Sequence, residues 1–273
     1  DLTDTNIAYI TDKTSKTHEK VQKLLKNYNT CRIMTSGALV VLCGPTNSGK
    51  STLFNSLVGS DRAIVNQEPG TTRDLLDTMI IIDGVPITLV DTAGLRETVD
   101  DVESQGIRKA VDYINKADLI CRIRDITQRS SSPEVVDNIL LKKRIVLDVY
   151  NKTDLVNKVE INKCRSVCPG GLFTSALTGF GLDELKYHIV NNLNLEDNTG
   201  ENFGITTPRQ YNAIINSHAA MGAVLEITNH KPIQLELVSF ELQNALHSIE
   251  DLLGVKTADD ILDRMFKSFC VGK

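Results

Sequence analysis

The chain has 273 residues, 41% hydrophobic and 24% charged, a balance that excludes wholesale disorder and allows one large domain or two ordinary ones. Its formal net charge of -5 excludes a global basic field of the kind that gathers nucleic acid, so RNA would have to be met by a local patch. The cysteines (Cys31, Cys43, Cys121, Cys164, Cys168 and Cys270) lack paired CxxC spacing, which points to a reduced, cytosol-type protein rather than a zinc or disulfide scaffold. No apolar run approaches the ~20 residues that span a bilayer, and no signal peptide is visible. The first residue is Asp rather than Met, so the chain reads as a fragment of something longer.

In chain order, residues 1 to about 35 read as a polar helix with Val21, Leu24, Leu25 and Tyr28 on one side. Lys13, Lys16, Lys20 and Lys23 share a face, read as solvated. Ala38 to Cys43 has the length and branched content of a buried strand. Met79 to Ile82, Asp83-Gly84 and Val85 to Val90 read as a hairpin, because Asp-Gly supplies the positive φ angles of a tight turn. Ala117 to Ile123, Arg144 to Tyr150 and Gly171 to Thr174 are further strands, with helical stretches between them. Such alternation predicts an α/β domain with a mostly parallel sheet. The charged run Cys121-Arg-Ile-Arg-Asp125 sits awkwardly in a buried strand.

A polar linker, Asn194 to Asn202, follows. Thr207 to Phe269 reads as helical with few turn signals, and Leu235, Leu237, Val238, Leu242, Leu246, Ile249, Leu252 and Leu253 are assigned to one apolar stripe. Helices at both ends of an α/β domain predict a discontinuous helical domain: 1–35 and 198–273 helical, 36–197 nucleotide-binding.

The chemistry starts at Gly44-Pro-Thr-Asn-Ser-Gly49-Lys50-Ser51, a GxxxxGK[ST] loop between a predicted strand and a predicted helix. Glycines let the backbone wrap phosphates, and successive N–H groups at a helix start receive negative charge. Lys50 is expected on the β- and γ-phosphates and Ser51 on Mg²⁺. Asp91-Thr-Ala-Gly94 ends a strand, where a carboxylate holds Mg²⁺ through water and the Gly94 N–H senses a γ-phosphate. In Gly70-Thr-Thr-Arg-Asp74, Thr72 is expected on the metal and Thr71 in a switch loop.

Asn151-Lys-Thr-Asp154 selects the base. An aspartate accepts two hydrogen bonds from guanine N1–H and N2–H₂, whereas adenine offers no such pair. Ser175-Ala-Leu177 is placed to close over the base. Leu95, directly after DxxG, cannot orient a water, so Arg96, Glu97 and Glu103 are candidates for that role.

With its tail Phe269-Cys-Val-Gly-Lys273, the chain resembles the MnmE (TrmE) family of tRNA-modification GTPases across nearly its whole length. The family's N-terminal folate-binding domain and the first helices of its helical domain have no counterpart here. The resemblance implies a Ras-like domain inserted in a helical domain, a homodimer, and an MnmG-like flavoprotein partner. It implies an aminomethyl-type group placed at C5 of the wobble uridine of tRNA, with a 5-formyltetrahydrofolate-type folate as one-carbon source. It also implies a potassium ion near the phosphates, held by Asn47, Asn66, Glu68 and Thr71. Glu103 would position the attacking water, Cys270 matches a functional cysteine, and Lys273 matches a folate contact.

The combined nucleotide and cofactor set is Asn47, Ser48, Gly49, Lys50, Ser51, Thr52, Asn66, Thr71, Thr72, Asp91, Gly94, Asn151, Lys152, Asp154, Ser175, Ala176, Leu177 and Lys273. Catalysis is assigned to Glu103 and Lys50, in the cytoplasm or the mitochondrial matrix. The rivals are a ribosome-assembly GTPase, which shares the nucleotide motifs, and a G domain that senses GTP without hydrolysing it.

Overall fold

The computed structural model describes residues 4–60, 77–92, 103–128, 145–193, 195 and 204–253. They fall into two units, one of residues 33–195 and one of residues 1–32 with 196–273.

In the unit of residues 33–195, strand β1 (Ala38–Cys43) follows Gly37 and leads through a loop into helix α2 (Lys50–Ser60). Strands β2 (Asp77–Ile82) and β3 (Val85–Asp91) form the expected hairpin, with Asp83 at φ 49° and Gly84 at φ 80° in its turn. Helix α3 (Glu103–Lys116) leads to β4 (Leu119–Asp125), and β5 (Val146–Asn151) is followed by α4 (Lys158–Val167), β6 (Leu172–Phe173) and α5 (Leu182–Asn192). The strand order is β2-β3-β1-β4-β5-β6, parallel throughout except for β2 against β3. This is a Ras-like P-loop GTPase fold.

Both faces of the sheet are buried, as parallel sheets require. Ala38, Val40 and Leu42 of β1 face one cluster with Leu53, Leu57, Leu185 and Ile189, while Val41 and Cys43 face another with Val90, Ile114 and Ile120. The strand order reverses direction beside β1, between β3 and β4, the place where open α/β sheets receive ligands.

The strand expected over Ala117 to Ile123 runs two residues later. Asp118 holds β1 from outside the ladder: its carboxylate accepts from the Leu39 N–H at 2.8 Å, and its own N–H donates to the Leu39 carbonyl. Pairing therefore begins at Leu119 and carries the charged run into the sheet. That run faces the Asp148 carboxylate of β5. Arg122 Nη2 donates to Asp148 Oδ2 at 2.7 Å, and Arg124 Nε lies 3.5 Å from Asp148 Oδ1. The strand expected over Arg144 to Tyr150 is Val146–Asn151, with Arg144 outside the described residues.

Helix α1 (Asp4–Ser36), through residue 32, belongs to the other unit and supplies Val21, with Leu24, Leu25 and Tyr28 packed beside it. Its lysine face is exposed, and Lys16 pairs with Asp12 one turn away. Helices α6 (Pro208–Asn229) and α7 (Leu235–Leu253) complete the described part. The segment read as continuously helical is interrupted at His230–Gln234. Pro232 has no N–H to carry the helical ladder through it. The α7 stripe also needs correction. Val238 and Ala245 are buried and Leu242, Ile249 and Leu252 partly so, whereas Leu235, Leu237, Leu246 and Leu253 are exposed. A helix buries only residues three and four apart on one face, and the expected stripe was wider than that face. The sequence expectations at Asn194 to Asn202, apart from Leu195, and beyond Leu253 lie outside the described residues.

Candidate functional site

The loop between β1 and α2 wraps tightly. Asn47 takes φ 60° and Gly49 φ 89°. A Cβ at Gly49 would collide with Asn151 Nδ2 and stand 3.8 Å from Lys152 Cε, so glycine is required both for backbone angle and for close approach. Lys50 is buried, and its ammonium donates to the Gly44 and Pro45 carbonyls at 3.0 and 2.6 Å. The charge thus sits inside the curl of the loop, where a phosphate chain would be received.

Beside it, Ser51 Oγ donates to Asp91 Oδ2 at 2.6 Å, joining the start of α2 to the end of β3. A hydroxyl and a carboxylate converging at one point are the hard oxygen donors that Mg²⁺ takes. Thr92 fixes the β3 end, because its N–H and Oγ1 both donate to the Leu42 carbonyl.

The third motif is wired to the first. Asn151 is buried at the end of β5; its Nδ2 donates to the Ser48 carbonyl at 3.1 Å, and its Oδ1 accepts from the Ala176 N–H at 3.0 Å. The Thr153 N–H donates to the Thr174 carbonyl, and Ser175 Oγ donates to Asp154 Oδ1. Asp154 is exposed, with one carboxylate oxygen held by Ser175, and Leu177 is 80% exposed. Ser56 of α2 donates to the Ala176 carbonyl at 2.7 Å. The loop of residues 44–51, the 151–154 segment and the 175–177 segment therefore form one hydrogen-bonded surface.

Lys152 adopts φ 67°, and its ammonium reaches Asp125 Oδ2 at 2.8 Å. Asp125 Oδ1 accepts from both the N–H and the Oγ1 of Thr127, at 2.9 and 2.7 Å. Burial works against the Asp125 charge, but Lys152 and Thr127 outweigh it and hold the carboxyl below its ordinary value. Sequence reasoning missed Asp125. No local pattern marks it, because its role depends on β5 lying beside β4.

The structure therefore brings together Asn47, Ser48, Gly49, Lys50, Ser51, Thr52, Asp91, Asn151, Lys152, Asp154, Ser175, Ala176 and Leu177. Thr52 follows Ser51 in the first turn of α2. Asn66, Glu68, Thr71, Thr72, Gly94, Arg96, Glu97, Cys270 and Lys273 lie outside the described residues. Glu103 opens α3, which places its backbone but not its side chain. Among the described residues the five cysteines are free, no group of three or more candidate metal-binding side chains occurs, and no helix is long and apolar enough to cross a membrane.

Residues 39–152 match the family described as 50S ribosome-binding GTPase. The chain is 37% identical over 258 residues to the tRNA modification GTPase MnmE of Pseudothermotoga lettingae, an alignment covering 93% of this chain and 57% of that protein. It is 36% identical over 264 residues to the protein of the same name from Koribacter versatilis, covering 95% and 56% respectively. The chain thus spans little more than half the length of these relatives. The G domain of the T. maritima FeoB iron transporter is a similar solved structure, with 28% identity, a TM-score of 0.43, and coverage of 57% of this chain and 98% of that one.

Proposed function

We propose that this chain, a P-loop GTPase whose sequence follows the tRNA modification GTPases named MnmE over nearly its whole length, is the GTP-hydrolysing part of a tRNA-modifying protein of that kind. The observation that carries the reading is the alignment itself. It extends over 93% of the chain, well past the 39–152 stretch common to many GTPases. The ribosome-assembly reading rests on the match over residues 39–152.

In this reading residues 36–197 are a G domain inserted between the two parts of a helical domain, 1–35 and 198–273. Asp154 recognises guanine and Asn151 fixes the base segment to the phosphate loop. Lys50 and the N–H groups of the loop bind the phosphates, where Lys50 also stabilises the charge that develops during phosphoryl transfer. Ser51, Asp91 and Thr72 would hold Mg²⁺, and Gly94 would sense the γ-phosphate. Mg²⁺ supplies charge neutralisation at the transferring phosphate. Glu103 positions the attacking water.

Potassium stimulation through pairing of two G domains is part of the same reading, with Asn47, Asn66, Glu68 and Thr71 as the ion's ligands. Asn47 takes φ 60° within the phosphate loop. So too is cooperation with an MnmG-like flavoprotein on the wobble uridine of tRNA, with Cys270 and the folate contact at Lys273 serving the modification chemistry in the cytoplasm or the mitochondrial matrix.

The test is a strain lacking the gene for this chain. Wobble uridines without the C5 group, in cells with normal ribosomal subunits, are expected. Fully modified tRNA with accumulating subunit precursors would overturn the reading in favour of ribosome assembly. Potassium is tested separately: phosphate release from GTP is expected to be faster in KCl than in NaCl at equal ionic strength, and equal rates would remove the ion site.

A further inference from the structure

The geometry points to Asp125 as a positioning residue for nucleotide binding: its carboxylate anchors the Lys152 ammonium, so that the lysine stem is held against the phosphate loop before any nucleotide arrives. This rests on reading Asn151 to Asp154 as the base-binding segment.

The observations converge on the lysine. Lys152 leaves the end of β5 in a left-handed backbone conformation at φ 67°, which throws its side chain back toward the loop of residues 44–51. Its Cε lies close to Gly49, near enough to stand 3.8 Å from a Cβ built there. Its Nζ ends on Asp125 Oδ2 at 2.8 Å. The lysine therefore passes beside Gly49, with its charge fixed by the carboxylate that ends β4.

Asp125 is itself rigidly held. Its side chain is 6% exposed, its second oxygen accepts twice from Thr127, and the Ile126 N–H donates to the Asn151 carbonyl. The anchor and the base motif are thus tied by backbone as well as by charge.

A free lysine on an open surface loses rotamer freedom when a ligand immobilises it. An anchored one has already lost that freedom, so binding is opposed less and the bound nucleotide is retained longer. Asp125 touches no nucleotide in this arrangement; it acts through Lys152.

Asp125→Asn is the informative change, because an asparagine keeps the Oδ1 acceptor for Thr127 while removing the charge that holds Lys152. Lys152→Met removes the ammonium and keeps the apolar stem. Release of a fluorescent N-methylanthraniloyl GDP is measured for the unaltered chain, each single variant and the double variant, with thermal unfolding of each alongside. Each single substitution is expected to speed release by about five- to tenfold, the range set by ordering one long side chain. The double variant is expected to release no faster than the faster single, since both substitutions break one interaction.

Release at the unaltered rate in Asp125→Asn, or multiplicative effects in the double variant, would overturn the anchor role. Should Asp125→Asn unfold the chain, Thr127→Val carries the test. It leaves both charges but removes a hydrogen bond that orients the anchor, and is expected to raise release by a smaller factor; no change would count against the proposal. If the unaltered chain retains an adenine analogue as long as the guanine one, the base-site reading fails and the anchor with it.

Discussion

The Asn151 side-chain amide donates to the Ser48 carbonyl at 3.1 Å, linking residues 103 positions apart, while its carbonyl oxygen accepts from the Ala176 N–H. One buried side chain thus spans the three segments that would surround a nucleotide. Asn151→Ala leaves a loop carbonyl and an N–H without partners in a region closed to water. We expect a loss of stability of about 2–4 kcal/mol, read by chemical denaturation, with faster nucleotide release. A variant as stable as the parent would show that the three segments hold their places independently.

Asp154 is exposed and accepts a hydrogen bond from Ser175. Replacing Asp154 by Asn exchanges an acceptor for a donor and faces guanine N1–H with an N–H. Affinity for GDP is expected to fall by at least about 100-fold, while affinity for the xanthine nucleotide, which offers a carbonyl at C2, rises. Competition titration checks both directions. Unchanged preference would move base recognition away from Asp154.

Ser51 and Asp91 meet at 2.6 Å. Ser51→Ala removes one hard donor and leaves the loop backbone intact, so GTP hydrolysis is expected to fall by about 100-fold or more at millimolar Mg²⁺. Partial recovery at higher Mg²⁺ would accompany the loss. A titration showing the same Mg²⁺ requirement as the parent would contradict the assignment of this pair to the metal.

The strands and phosphate loop were legible in the sequence because their signals are local. Ala38 to Cys43 is an unbroken apolar run, Asp83-Gly84 a turn dipeptide, and Gly44 to Ser51 a fixed spacing. What was not legible depends on which strand lies beside which. Arg122 and Arg124 look out of place in a strand until β5 brings Asp148 against them, and Asp125 carries no meaning until β5 sets Lys152 within its reach. The α7 leucines mislead for a related reason: apolar content is visible in sequence, but which leucines are covered depends on the neighbouring helices. The serine and asparagine bridges at Ser56 and Asn151 join segments more than 100 residues apart, a separation beyond any local pattern.

In the helical unit, the rings of His18 and His218 stack at 3.9 Å, and His218 Nε2 is buried without a hydrogen-bond partner among the described residues. Burial first, and the neighbouring His18 second, hold the His218 pKa below its usual 6.5. The unfolded chain therefore takes up this proton more readily than the folded one, so stability is lost as the pH falls from about 6.5 toward the lower folded value. Denaturation midpoints between pH 7 and pH 5 are expected to fall, and His218→Phe, which keeps a stacked ring without a proton site, is expected to flatten the slope. An identical slope in that variant would place the dependence elsewhere.

The central claim is that these residues select guanine and hydrolyse its triphosphate. Phosphate release from GTP and from ATP, measured side by side with Mg²⁺ in KCl, tests it most directly. The arrangement of Asp154, Asn151 and the phosphate loop predicts release from GTP and none above background from ATP; equal release from both would contradict it.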